Sequence, residues 1–310
     1  MSMMRSVLLA GAESAWLRDR AVRTRFVRRS VSRFMPGETV DEALEACSRQ
    51  QAEHRTGTLL TRLGENLSSL AEADAVTAHY LEVIDRIGTM GLDTQPSVKL
   101  TQLGLDLGLD ACDRNLRRLV SRAEVRSSVV WIDMESSPYV DRTIELFRRA
   151  RARSTAVGLC LQAYLRRTPA DLDALLPLAP AIRLVKGAYR ETAGVAFPRK
   201  ADVDEQFFQL ASRLLDPGLP EGTFLGIGTH DPRLVGRLRS VIAACGVTPS
   251  SYEFAMLYGI QRPLQSRLVA EGAPLRVLVS YGEYWFPWYM RRLAERPANV
   301  LFVAKSLFAR

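Results

Sequence analysis

Eight short runs rich in Val, Ile, Leu and Thr recur along the chain, each bounded by Gly, Pro, Ser or polar residues. They are GTLLTRLG (57–64), SVKLTQLG (97–104), SSVVWIDM (127–134), AVGLCLQAY (156–164), AIRLVKGAY (181–189), GTFLGIGTH (222–230), SSYEFAML (250–257) and PLRVLVSYG (274–282). The segments between them, such as DRTIELFRRARA and VDEQFFQLASRLL, carry apolar residues at helical spacing. Parallel neighbours need crossovers of about a dozen residues or more, and most of these gaps are long enough. Eight strands alternating with helices predict an α/β chain wound into a single (β/α)8 TIM-like barrel. An open nucleotide-binding sheet is disfavoured, because no GxGxxG follows any of the runs.

Such a barrel needs one large core, and 310 residues with 47% hydrophobic content supply it. No low-complexity linker or composition break interrupts the chain after residue 40. Residues 1–45 are therefore expected to form a helical arm and residues 46–310 the barrel. No apolar run approaches the roughly 18–20 residues that span a bilayer. The opening MSMMRSVLLAGAESAWLRDR has the Arg and short apolar run of a weak signal peptide. Glu13 interrupts it and Arg18, Asp19 and Arg20 follow, so it reads as helix. The four cysteines form no CxxC pair, as expected of buried reduced thiols in a cytoplasmic protein. His54, His79 and His230 lack metal-ligand spacing, and no metal site is expected.

The net charge of +8 is concentrated at the start, where residues 1–35 hold eight arginines against Glu13 and Asp19. This arm has no recognition motif and no interleaved stacking aromatics, which argues against nucleic acid. Val7, Leu8, Leu9, Trp16, Leu17 and Val22 make it amphipathic instead. Two readings stay open: a helix packed on the barrel with a solvated arginine face, or peripheral contact with the inner face of an anionic membrane.

A barrel gathers its chemistry at the C-terminal ends of its strands. Those ends carry Glu65; Lys99 with Gln102; Asp133 with Glu135; Gln162 with Tyr164; Arg183, Lys186 and Tyr189; Thr229 with His230; Glu253 and Leu257; and Tyr281 with Glu283. Lys99, Asp133, Arg183 and Lys186 stand inside apolar runs, where a charge is costly unless paired or touching a ligand. Three cations there imply an anionic guest bearing a phosphate, a carboxylate or both. An internal Lys–Asp ion pair is the alternative.

After the last run, YGEYWFPWYMRRLAERPANV (281–300) crowds aromatic rings against the doublet Arg291–Arg292. Adjacent helix positions point about 100° apart. Both arginines reach one small anion only if the helix lies across the barrel mouth instead of along its flank. Tyr284, Trp285, Trp288 and Tyr289 would then seal the mouth against something flat and apolar. Glu295, four residues after Arg291 and three after Arg292, would hold the doublet in place.

The motifs LGE (63–65), VKLTQLGL (98–105), IDMES (132–136), LQAYLRR (161–167), RLVKGAYRE (183–191), GTHD (228–231), YEFAMLYGI (252–260) and YMRRLAERPAN (289–299) resemble those of the proline dehydrogenase family, in the family's order. The likeness spans roughly residues 40–300, and KGAY with EFxMLYG and RRLAERPAN is a highly specific combination. The resemblance implies a distorted barrel holding FAD non-covalently, with its eighth helix over the substrate. It implies hydride transfer from C5 of L-proline to flavin N5, giving Δ1-pyrroline-5-carboxylate, with electrons passed to a quinone.

Carried over residue by residue, it implies that Arg291, Arg292 and Lys99 hold the proline carboxylate, with Asp133 beside Lys99 and Glu65 pairing with Arg291 over the substrate. Ala188, Tyr189 and Leu257 would line the ring pocket. Met134, Gln162, Arg183, Lys186, Gly187, Ala188, Tyr189, Thr229, His230, Glu253 and Glu295 would contact FAD. The residue types suit these roles. Arg grips a carboxylate bidentately, and Arg183 with Lys186 can offset charge on a reduced flavin.

Two positions depart from the family's pattern. Leu278 stands in RVLVSYG where a tyrosine is expected, and Trp288 stands three residues before the Arg doublet where another tyrosine is common. Apolar groups thus replace two phenols in one pocket. A substituted proline such as hydroxyproline, or another cyclic imino acid, is therefore the alternative substrate. A rival chemistry, a lyase with Lys186 as a Schiff-base lysine, calls for a phosphate cradle after the seventh and eighth strands. An aromatic-rich helix stands there instead.

Overall fold

The computed structural model describes residues 31–64, 67–286 and 289–290. Its centre is a closed barrel of eight parallel strands in sequence order. They are β1 (Gly57–Arg62), β2 (Thr94–Val98), β3 (Val130–Ile132), β4 (Val157–Gln162), β5 (Ala181–Val185), β6 (Phe224–Gly228), β7 (Tyr252–Leu257) and β8 (Leu275–Tyr281). Helix α1 (Val40–His54) precedes β1. The crossovers are α2 (Leu70–Thr89), α3 (Leu109–Val125), α4 (Val140–Arg151), α5 (Thr168–Leu175), α6 (Lys200–Leu214), α7 (Pro232–Cys245) and α8 (Arg262–Ala270).

Every expected run contains or overlaps a strand, because a parallel strand covered by helices on one side and a filled barrel on the other is apolar almost throughout. The boundaries moved in three places. The run expected over 97–104 is strand only to Val98; Thr101–Leu103 is one turn of 3-10 helix. Leu100, Leu103 and Leu105 are all buried, a spacing that a strand does not give. The run over 127–134 pairs only through Val130–Ile132, and the run over 181–189 ends at Val185. There Gly187 takes φ 119°, and a Cβ would lie 2.2 Å from the Tyr164 ring.

Side chains alternate between two cores. Leu60, Ile132, Leu184, Ile227, Phe254 and Val277 point outward and are buried under the helices. Leu59, Trp131 and Ala181 cluster inside the barrel, with Leu278 packed against them. Gly158 makes room for the Trp131 indole, because a Cβ there would sit 2.6 Å from its ring.

Helix α1 packs against the first and last strands. Its start is fixed by a capping box between Thr39 and Glu42. Ala43, Leu44, Ala46 and Cys47 pack on Leu60 of β1 and Val279 of β8. That flank, between the first and last strands, is where the helix after β8 would lie in a regular barrel. The break expected between residues 45 and 46 falls inside α1, whose one apolar face spans it. Beyond β8, residues 285–286 and 289–290 are helical. Among the described residues, no helix is long and apolar enough to cross a membrane.

Candidate active site

The C-terminal ends of β2, β3, β4 and β5 bring together a compact polar network. Arg183, third in β5, points into the barrel with its side chain 6% exposed. Its Nη2 is ion-paired with Asp133, which follows β3. Ser97 of β2 bridges them: its Oγ donates to Asp133 Oδ1 at 2.8 Å and accepts from Arg183 Nη2 at 3.0 Å. The guanidinium also lies 5.4 Å from the Trp131 ring centroid. Its other terminal nitrogen, Nη1, is buried and has no hydrogen-bond partner among the described residues. Gly226 sits opposite Arg183 in the β5–β6 register, and a Cβ there would press on the arginine stem at 3.3 Å.

Gln162 ends β4. Its Nε2 donates to the carbonyls of Met134 and Glu135, both at 2.9 Å, while its buried Oε1 has no partner among the described residues. A buried donor and a buried acceptor left unmatched near the mouth are costly. Groups of this kind are what a hydrogen-bonding ligand satisfies.

Lys99 is half-buried just after β2. Asp133, expected beside Lys99, is ion-paired with Arg183, which reaches it from inside the barrel. The charge of Lys99 acts on Glu135, a buried carboxyl. Burial pushes Glu135 above the ordinary range, and its bonds from Thr101 and the charge of Lys99 oppose the rise. The Thr101 hydroxyl donates to it at 2.8 Å.

Lys186, just beyond β5, has two carboxylate partners, Asp204 of α6 at 2.6 Å and Asp231 at 3.3 Å. Lys200 shares both acids. Asp231 caps α7, accepting from the Arg233 N–H at 3.1 Å. Burial raises its affinity for a proton, but that cap and the two lysines outweigh burial and hold it below the usual carboxylate range. Ala188 is exposed and Tyr189 half-buried on the same loop. Thr229 is buried next to the cap. His230 Nε2 accepts from the Leu257 N–H at 2.8 Å, which fixes the imidazole over the end of β7. Leu257 pairs in register with Leu278, so the two line neighbouring strands on the inner face.

Three expectations require correction or fall outside the description. Glu253 is second in β7, not at its C-terminal end. Its two carboxylate oxygens share the Arg276 Nε–H, each at 2.9 Å, and Arg276 also donates to Asp93 at 2.8 Å. Gly57 makes room for that guanidinium, for a Cβ there would lie 2.7 Å from Nη1. This network closes the N-terminal end of the barrel, opposite the mouth, so Glu253 is not available to a ligand there. Of the rings expected to seal the mouth, Tyr284 is 64% exposed, and Trp285 is buried with its Nε1 donating to Glu38 at 2.9 Å. Trp285 rests on the segment before α1, and Tyr289 packs beside it. Glu65, Trp288, Arg291, Arg292 and Glu295 lie outside the described residues.

Ser97, Asp204, Asp231 and Lys200 were not anticipated as partners. Only Asp231 carried a local signal, an Asp before a Pro at a helix start.

A closed parallel barrel with a buried, half-partnered guanidinium at its C-terminal face defines a barrel enzyme with a polar ligand site at that face. The chain belongs to the proline dehydrogenase family: the family model for proline dehydrogenase matches residues 43–305. Proline dehydrogenase 1 of Bacillus subtilis subsp. natto is 36% identical over 282 residues, which cover 90% of this chain and 91% of that protein. Proline dehydrogenase of Deinococcus radiodurans is 36% identical over 284 residues, 89% of each chain. Among solved structures, proline utilization A (PutA) from Bdellovibrio bacteriovorus, inactivated by N-propargylglycine, superposes with a TM-score of 0.80 at 23% identity, covering 94% of this chain and 36% of that one. That likeness concerns the fold, and this chain spans about a third of that longer protein.

Proposed function

We propose that the protein oxidises L-proline to Δ1-pyrroline-5-carboxylate with FAD as its cofactor and a quinone as the final electron acceptor. The observation that carries this reading is Arg183: a buried guanidinium fixed on one side by Asp133 and Ser97, with Nη1 left for a ligand.

The residues fit a flavin. Arg183 Nη1 is a donor, and Gln162 Oε1 an acceptor, of the kind an isoalloxazine edge pairs with. Gly226, Gly228 and Ala255 present little bulk on the inner face of β6 and β7, where a flat ring system needs space. Lys186 and Lys200 supply ammonium donors for a pyrophosphate, with Asp204 and Asp231 shared between them and holding them together. Arg183, Gln162, Lys186, Thr229 and His230 would hold the group. When bound, FAD supplies a two-electron acceptor for the C–H bond that breaks.

The chain's own residues bind and orient the amino acid. Lys99 with Arg291 and Arg292 pairs with the carboxylate, and Leu257, Leu278, Ala188 and Tyr189 flank the ring. Positioning of this kind can remove about 7–11 kcal/mol from a barrier at its upper limit. The amine must be neutral to form the imine, and solvent suffices to take its proton before binding.

A second reading rests on Leu278, which lies against Leu59 and Leu257 in an apolar setting with no hydroxyl of its own. A substituted proline would then compete with L-proline. The test is product analysis by mass spectrometry after incubation with L-proline or hydroxyproline and a soluble quinone. Loss of two hydrogens from L-proline supports the first reading. Turnover of hydroxyproline alone supports the second.

A further inference from the structure

Strand β7 delivers its last residue, Leu257, to the barrel mouth, half-buried and in register with Leu278 of β8. The chain then turns at once. Residues 258–261 lead straight into α8, with Gly259 at φ 74° and Gln261 at φ 54°. A Cβ on Gly259 would run into the Arg33 carbonyl, so the segment before α1 closes the turn from outside. At a strand end the outermost peptide groups need partners beyond the ladder. Those partners decide where Leu257 stands.

Leu257 is held through both of its backbone polar groups. Its N–H donates to His230 Nε2 at 2.8 Å. A backbone N–H can only donate, so the neutral imidazole carries its proton on Nδ1. The Leu257 carbonyl accepts from the Ile260 N–H at 3.2 Å and from Gln265 Nε2 at 3.1 Å. The same Gln265 amide donates to the Ile260 carbonyl at 2.8 Å. Gln265 is buried on the face of α8 that also buries Leu264 and Leu268. A buried amide among leucines is unfavourable unless its hydrogen bonds are made. Here a single amide satisfies two carbonyls of the turn.

A leucine on α8 would pack with Leu264 and Leu268 at least as well, so the amide is not there for the core. What it adds is a fixed backbone at the end of β7. Resting on the proline dehydrogenase reading, in which Leu257 flanks the substrate ring, we propose that Gln265 is a positioning residue: from outside the barrel, with His230 on the other backbone group, it fixes Leu257 and so sets the apolar wall that the ring meets. In that reading cations such as Lys99, after β2, grip the carboxylate. The effect of Gln265 therefore falls on the ring and not on the charged end of the substrate.

The test uses the full chain with its flavin and two probes. Cyclopentanecarboxylate has a ring and a carboxylate but no amine to oxidise; acetate has the carboxylate alone. Their Kd values are measured by calorimetry, with KM for L-proline and flavin content alongside. Gln265→Leu is expected to raise KM and the cyclopentanecarboxylate Kd about three- to tenfold, the scale of one hydrogen bond, with acetate Kd and flavin content as in wild type. Gln265→Glu keeps the shape of the side chain. Its defect should shrink as pH falls, because a protonated carboxyl donates to a carbonyl and a carboxylate cannot. In a Leu257→Ala background Gln265→Leu should add nothing, since the side chain it positions is gone. An unchanged cyclopentanecarboxylate Kd in Gln265→Leu would overturn the role. So would equal losses for the two probes, or losses that add in full in the double variant, which would leave Gln265 a support of the fold alone. Wild-type protein that neither oxidises L-proline nor binds cyclopentanecarboxylate would overturn the substrate reading instead.

Discussion

Arg183 and Asp133, fifty residues apart in the sequence, are ion-paired inside the barrel mouth, and the Ser97 hydroxyl bonds to both. The pair fixes one edge of the guanidinium and leaves Nη1 free of protein partners among the described residues. Asp133→Asn keeps the shape and removes the charge that aims the arginine. Its kcat/KM for L-proline should fall on the order of 10²-fold, as when one preorganised donor is lost. Stopped-flow flavin reduction separates this from weaker proline binding, and an unchanged reduction rate would show that the pair is only structural.

The Glu253–Arg276 pair tests the corrected placement of Glu253. Both side chains are buried at the N-terminal end of the barrel. Removing one partner of a buried pair costs about 3–5 kcal/mol. Glu253→Ala should therefore lower stability in denaturant titrations while its folded fraction keeps wild-type flavin content and KM. Loss of flavin without loss of stability would return Glu253 to the ligand site.

His79 gives a pH signature. Burial first, then the Arg62 cation, lowers its pKa from the ordinary 6.5; Glu82 opposes this and Arg86 adds to it. Glu38 and Glu283 face it across a cavity. The unfolded chain takes up this proton near 6.5, the native protein only at lower pH. In that window the unfolded state binds more protons, so stability increases as pH rises and levels off above it. Thermal midpoints measured against pH should show this slope, and His79→Gln should remove its share. Identical slopes for the two proteins would contradict the assignment.

Leu278→Tyr restores the phenol expected at this position. One hydroxyl or methylene shifts discrimination by about 1–3 kcal/mol. The ratio of kcat/KM for L-proline over hydroxyproline should therefore change by at least about tenfold. A ratio left unchanged would place Leu278 too deep in the barrel to touch the substrate ring.

The strands were legible because their burial is recorded locally, as runs such as VGLCLQ and AIRLV. The interior charges were legible for the same reason: Asp133 and Arg183 interrupt apolar runs. Their partners were not, because pairing is set by barrel closure over long separations, as between Arg276 and Asp93 or Lys186 and Asp231. Glu253 was misplaced because the composition of a strand does not say which of its ends a residue is near. Pro96 hid the start of β2, since a proline within a run reads as a break. Nor could local pattern show that α1 takes the flank beside β8.

Anaerobic titration of the purified protein with L-proline, followed at the flavin band about 450 nm, addresses the central claim most directly. The expected result is a yellow protein whose band bleaches in proportion to added L-proline and returns when a quinone is admitted. A colourless protein, or a flavin that stays oxidised with proline in excess, would contradict it.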